Sequence, residues 1–130
     1  MIKQIKSSEI QNFIKENSNV VLLDVITENE WNSLGKPNAE EYNSKTYFVT
    51  LSPDLANWQE PDPSFIEKVK KKINKDKTIL VMCAAGGRSM IAANLLKAEG
   101  YSALNVSDGF SGNGQDPGWK NLGLPSIINN

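Results

Sequence analysis

Cys83 is the only cysteine in this 130-residue chain, and Arg88, five positions later, is its only arginine; the other thirteen basic residues are lysines. Between the two lie Ala84, Ala85, Gly86 and Gly87, and Ser89 follows. A thiolate is a nucleophile that needs no separate general base, and helix N-termini and neighbouring arginines favour that form. Small residues and paired glycines let a backbone curl tightly and turn successive N–H groups inward, making a nest for an anion. A helix that starts near Arg88 adds its positive end to the same place. The segment thus puts a nucleophile, a cradle for negative charge and a fixed cation within a few residues. The bland alternative is a buried thiol acting as a small hydrophobe, the usual fate of a free cysteine. A purely structural thiol, however, has no use for Gly86-Gly87-Arg88 after it. The loop is not a Walker A phosphate loop, because it lacks the Gly-Lys-Ser/Thr ending.

Composition removes most other chemistries. The chain has no histidine, which excludes Ser-His-Asp and Cys-His pairs, imidazole metal ligands and imidazole proton shuttles. One cysteine allows no intramolecular disulfide, no CxxC redox pair and no multi-cysteine metal cluster. Neither a metal nor another cofactor is therefore expected. Hydrophobic residues make up 39% and charged residues 22%, the ordinary range for a folded globular chain. The formal net charge of −1 gives no reason to expect a nucleic-acid partner. No apolar run approaches the roughly 18 residues of a membrane span. Met1–Lys6 carries no apolar stretch suited to a secretory signal, and a lone free thiol suits a reducing compartment, so the expected setting is cytoplasmic.

The elements that must position Cys83 follow from periodicity. A short strand is expected at Ile2–Ile5, then a helix capped by Ser7 or Ser8 with Ile10, Phe13 and Ile14 on one face. Val20–Val25 is apolar but for Asp24, the pattern of a strand buried on both faces. Glu28–Leu34 reads as a short helix ending at Gly35, residues 36–46 as loop, and Tyr47–Leu51 as a strand before a Pro-punctuated loop that runs to Pro63. Ser64–Asn74 is an amphipathic helix with Phe65, Ile66, Val69 and Ile73 inward. Thr78–Met82 is a buried strand, Ser89–Glu99 a helix closed by Gly100, and Ala103–Val106 a further strand. The remaining residues read as Gly-rich loop around Trp119. Apolar strands alternating with helices imply crossover units and a parallel sheet covered on both faces. The expectation is one α/β domain over residues 1–130.

Three segments resemble the rhodanese family of single-domain sulfurtransferases. Leu22-Leu23-Asp24-Val25 with Glu30-Trp31 is similar to the family's first strand and its acidic-aromatic helix. Cys83 to Ser89 is similar to its active-site loop, and Asp108-Gly109-Phe110, Gly118-Trp119-Lys120 and Leu122-Gly123-Leu124-Pro125 to its C-terminal signature. The resemblance implies a three-layer α/β/α fold with a central, mostly parallel sheet of four to five strands. It also implies that Cys83 carries a persulfide, taking sulfane sulfur from a small donor such as thiosulfate or a persulfide. A thiol, cyanide or a protein thiol would accept that sulfur. Ala84, Ala85, Gly86, Gly87, Arg88 and Ser89 are then the donor-binding residues, with Arg88 holding the anion.

The chain also departs from the family pattern. Ile26 stands where an arginine often follows the first strand, which leaves Glu30 without its usual ion-pair partner. Gly35–Ala39 replaces a His-Ile-Pro-Gly-Ala segment, Ala84 occupies an often basic position, and residues 111–117 look like an insertion before Trp119 placed to overhang the site. Two rival readings stay open. One is a fold relative, the dual-specificity phosphatases, whose loop is Cys-x5-Arg; here the spacing is Cys-x4-Arg, a tighter cradle. The other is a persulfide carrier or regulatory binding domain that works on a partner protein. The lysines between 68 and 77 read as a solvated helix face, Trp58 as a pocket rim or a cover for the sheet edge, Asp24 as an acceptor for the following turn, and Trp119 as a core anchor.

Overall fold

The computed structural model describes residues 1–128. In chain order its elements are β1 (Lys3–Ile5), α1 (Ile10–Glu16), β2 (Val20–Asp24), α2 (Glu28–Leu34), β3 (Lys36–Pro37), β4 (Thr46–Phe48), α3 (Phe65–Lys72), β5 (Thr78–Met82), α4 (Gly87–Ala98), β6 (Ser102–Val106) and β7 (Ser126–Ile127). Five strands form one parallel sheet in the order β1-β6-β5-β2-β4. β2 and β5 lie side by side over their whole lengths, with Asp24 opposite Met82. Their burial on both faces follows from their composition, since Val20–Asp24 and Ile79–Met82 are buried at every position.

Alternation along β2 and β5 divides the core into two layers. Val21, Leu23, Ile79 and Val81 face Phe65 and Val69 of α3 and Ala92, Ala93 and Leu96 of α4. Val20, Leu22, Leu80 and Met82 face Ile10 of α1, Ala39, Phe110 and Trp119. This is the three-layer α/β/α arrangement that the alternating pattern and the resemblance implied. Trp119 is wholly buried, and its indole N–H donates to the Pro125 carbonyl at 2.7 Å, so it anchors the C-terminal segment as expected.

Several boundaries differ from the sequence reading. The strand expected at Tyr47–Leu51 covers Thr46–Phe48, where it pairs with Leu22–Asp24. Beyond it, Val49 and Leu51 donate backbone bonds to Asp24 and Val25, so the pairing trails on as irregular chain. Residues 36–46 and the C-terminal segment, both read as loop, contribute β3 and β7, a two-residue antiparallel pair too short to show any period. The lysine-rich α3 face is partly tied down: Lys68 bonds Asp62 and Lys70 pairs with Glu67 and Glu99.

Ser7 is not the side-chain cap that was expected. A 3-10 turn (Ser7–Glu9) precedes α1, and the Glu9 carboxylate accepts from the Lys6 N–H at 2.8 Å. The Ser7 amide and hydroxyl instead both donate to Asp108 Oδ1 at 2.9 Å, while the Gly118 amide donates to Asp108 Oδ2 at 3.0 Å. The buried Asp108 carboxylate thereby joins the start of α1, the end of β6 and the C-terminal segment. Asp108→Ala would leave the Ser7 and Gly118 amides without their acceptor, while the Ser7 hydroxyl keeps the Gly109 carbonyl at 3.2 Å. Each unsatisfied amide costs roughly 1–3 kcal/mol. We expect a loss of stability on the order of 3 kcal/mol, measured by urea unfolding. A loss below about 1 kcal/mol would show that water replaces the carboxylate.

Candidate active site

The connections leaving β2 and β5 run in opposite directions across the sheet, β2 to β4 and β5 to β6, which opens a crevice at their carboxyl ends. Asp24 ends β2, and Cys83 directly follows β5. From Cys83 the chain has only Ala84, Ala85 and Gly86 in which to turn into α4. Gly86 makes the turn at φ +100°, where an added Cβ would lie 2.3 Å from the Ser107 carbonyl oxygen. No other residue type fits there without moving the loop.

The thiol sits in a polar frame. The Gly86 amide donates to Cys83 Sγ at 3.0 Å, and Ser89 Oγ lies 3.2 Å from the same sulfur. Asn105, buried on β6, sends its Nδ2 to the Gly86 carbonyl at 3.2 Å and to Gln4 Oε1 at 3.0 Å. Both partners are acceptors, so the Asn105 carbonyl oxygen must face Ser89 and accept the hydrogen bond that its hydroxyl donates. Ser89 therefore turns a lone pair toward the sulfur and can accept from a Cys83 thiol. Once that proton leaves, the Gly86 N–H is the donor that remains on the sulfur. Among the described residues, the amides of Ala85, Gly87 and Arg88 make no hydrogen bond, which leaves the N-terminus of α4 open for an anion.

Arg88 and Glu30 meet, so Glu30 does have an ion-pair partner, contrary to the sequence expectation. Nη1 donates to Glu30 Oε1 at 2.6 Å and Nη2 to Oε2 at 2.8 Å, a bidentate pair across the crevice. The loop arginine fills the role left empty by Ile26. Burial alone would raise the Glu30 carboxyl, but hydrogen bonds from Arg88 and the Thr27 backbone outweigh it and hold it below its ordinary range. Thr27 and Glu30 also form a capping box at the start of α2, with Glu30 Oε1 accepting from the Thr27 amide and hydroxyl at 3.0 Å. The Thr27-x-x-Glu30 spacing could have placed this carboxylate from sequence.

The other expected residues divide clearly. Ala84, Ala85 and Gly87 lie at least partly exposed along the turn, whereas Ser89 is buried beneath the sulfur. Trp58 stays 40% exposed, and its ring edge lies 3.6 Å from where a Gly87 Cβ would be, so it borders the loop. The 111–117 segment is fastened beside the loop: the Ser111 amide donates to the Ala84 carbonyl at 2.8 Å and Asn113 Nδ2 to the Ser107 carbonyl at 3.2 Å. Asn105 was missed, since one asparagine within an apolar strand gives no spacing signal. Among the described residues, no three ligating side chains gather into a metal site.

Asp24 is buried, and its carboxylate accepts from Trp31 Nε1 at 3.0 Å and the Ile26 amide at 3.4 Å, the turn-bracing role expected of it. Burial pushes it up to about 7, against the pull of those hydrogen bonds. The folded protein thus keeps a proton that the unfolded chain releases from about pH 4 upward, so Asp24 lowers stability as pH rises from about 4 to about 7. Glu30 acts in the opposite sense and below that window, because its folded value is depressed. Asp24→Asn keeps an acceptor for Trp31 and should remove a fall of at most about 1.4 kcal/mol per pH unit, read from urea midpoints across the window. Parallel profiles for both proteins would mean that Asp24 is ionised throughout.

Residues 7–114 match the rhodanese-like domain. An uncharacterized protein of Rickettsia prowazekii, RP600, is 37% identical over 126 residues, spanning 96% of this chain and 97% of its own. Among solved structures, Rv0390 from M. tuberculosis superposes with a TM-score of 0.80 at 25% identity, covering 95% of this chain and 96% of that one. The polysulfide-sulfur transferase homodimer from Wolinella succinogenes shares the fold, with a TM-score of 0.65 at 21% identity over 98% of this chain and 79% of that one. With that domain match over most of its length, the chain belongs to the rhodanese-like domain family.

Proposed function

We propose that the protein is a sulfurtransferase that carries sulfane sulfur as a persulfide on Cys83. The observation that carries this reading is the sulfur at the head of α4, bonded by the Gly86 amide and followed by unpaired loop amides. The Cys83 thiolate attacks the outer sulfur of the donor, a new S–S bond forms, and the donor's own sulfur–sulfur bond breaks with its electron pair leaving on the remainder. With thiosulfate that remainder is sulfite; with an organic persulfide it is a thiolate. A second thiophile, a thiol or cyanide, then takes the outer sulfur and returns the Cys83 thiolate, a ping-pong sequence. The amides of residues 84–88 hold the negative charge of the terminal sulfur. Neither a metal nor another cofactor enters the scheme, and the lone thiol suits a reducing, cytoplasmic setting.

A phosphatase reading fits poorly, because the one arginine of the Cys-x4-Arg loop is already engaged by a carboxylate. A persulfide carrier that meets its acceptor on a partner protein is the second reading. It is favoured by Leu55 and Trp58, which are exposed in one turn beside the loop. Family membership supports sulfur donors and thiol acceptors in general.

Intact mass spectrometry after incubation with thiosulfate or glutathione persulfide should show one added sulfur atom, removed by reductant. Cys83→Ser should lose both the adduct and turnover to cyanide. An adduct that persists in the serine variant would overturn the mechanism. Loading without turnover to cyanide or glutathione, but with transfer to a protein thiol, would favour the carrier.

A further inference from the structure

Arg88 is the one cation of the loop, and each of its terminal nitrogens donates one hydrogen bond to Glu30, so its charge is compensated by that carboxylate. The two side chains are only 11% and 15% exposed, so the pair is largely withdrawn from water and carries no net charge. Glu30 cannot swing aside freely, because its Oε1 also receives the Thr27 amide and hydroxyl that begin α2. Ala84 and Ala85 add no charge to the turn. A dianion entering here meets loop amides and a compensated arginine, with a carboxylate held just behind it. The exposed ring of Trp58, beside Gly87, offers an apolar surface instead.

We propose that Glu30 is a specificity-determining positioning residue: as a built-in counter-anion it occupies Arg88 and directs the site to organic persulfides in preference to thiosulfate. The inference rests on the sulfurtransferase reading above and selects the donor class for the same sulfur. The favoured step is Cys83–S⁻ + R–S–SH → Cys83–S–SH + R–S⁻. One S–S bond forms, one breaks, and the electron pair of the broken bond leaves on the donor thiolate, with no outside oxidant. The electrophile's reacting end is uncharged, so it asks nothing of Arg88, and its organic group can lie against Trp58. The thiosulfate step, Cys83–S⁻ + S–SO₃²⁻ → Cys83–S–S⁻ + SO₃²⁻, balances equally but brings two negative charges to a loop without a free cation.

The test is the second-order rate of Cys83 persulfide formation from glutathione persulfide and from thiosulfate, followed by quenched mass spectrometry so that no acceptor is involved. Wild-type protein should load from glutathione persulfide at least about tenfold faster. Glu30→Gln uncovers the Arg88 charge and should narrow that ratio by about tenfold, a gain that fades with added salt. Glu30→Gln combined with Arg88→Gln should restore the wild-type ratio, which a merely loosened loop would not do. Should Glu30→Gln fail to fold, Ala84→Arg supplies an uncompensated cation in the intact background and should narrow the ratio in the same direction. Equal loading from both donors by wild type, or a ratio that stays within about twofold in whichever variant folds, overturns the inference and leaves the sulfurtransferase reading standing. Loading from neither donor overturns both.

Discussion

Two backbone-on-backbone approaches govern the geometry of the site. Gly86 passes so near the Ser107 carbonyl that a Cβ would sit 2.3 Å from its oxygen, and a Cβ at Gly109 would sit 2.5 and 2.6 Å from the carbonyl oxygens of Ala84 and Cys83. The first fixes where the turn after β5 enters α4, and so where the Gly86 amide meets the sulfur. The second seats the segment after β6 under the same turn, where Phe110 and Ser111 donate to the Cys83 and Ala84 carbonyls at 2.8 Å. Side chains at either glycine would push β6 and the loop apart, and Asn105 would lose its simultaneous hold on Ser89 and Gly86. The polar frame of Cys83 is thus a consequence of backbone packing, and the side chains refine it.

Electrostatically the crevice is arranged to be nearly neutral. A buried carboxylate is costly unless it is paired or protonated, and the two acids here take different routes. Glu30 is paired, bidentate to Arg88. Asp24, without a cation in contact, is held by an indole and an amide and titrates near neutrality because burial dominates. Ile26 offers this carboxylate no charge, and the pairing is made by Arg88, the only guanidinium in the chain. The positive charge at the loop is left to peptide dipoles and the start of α4.

The fold was legible in the sequence wherever burial imposed a period. β2, β5 and α2 came out of apolar runs and a glycine stop with boundaries within a residue, because strands covered on both faces tolerate little else. The Cys83 loop was legible for a different reason, since a thiol, two glycines and the only arginine in seven residues are hard to explain structurally. What stayed hidden were contacts between residues distant in the chain. Arg88 lies 58 positions from Glu30, and Ser7 lies 101 positions from Asp108. Nothing local distinguishes an arginine awaiting a ligand from one already satisfied. Asn105 was hidden likewise, for its partners Gln4, Gly86 and Ser89 come from three separate elements.

The pairing of β1 with β6 has a consequence for synthesis. β1 is made first, yet its only neighbour in the sheet is β6, about a hundred residues downstream, and Ser7 waits as long for Asp108. Contacts of such sequence separation close late in folding, after more local units have formed. On a growing chain, β5 and the cysteine that follows it emerge before β6 can supply Asn105 beneath Ser89. The nascent thiol therefore lacks its polar frame, which is complete only when β6 has settled beside β5 with Asn105 under Ser89 and Gln4 of β1 has closed on the same amide.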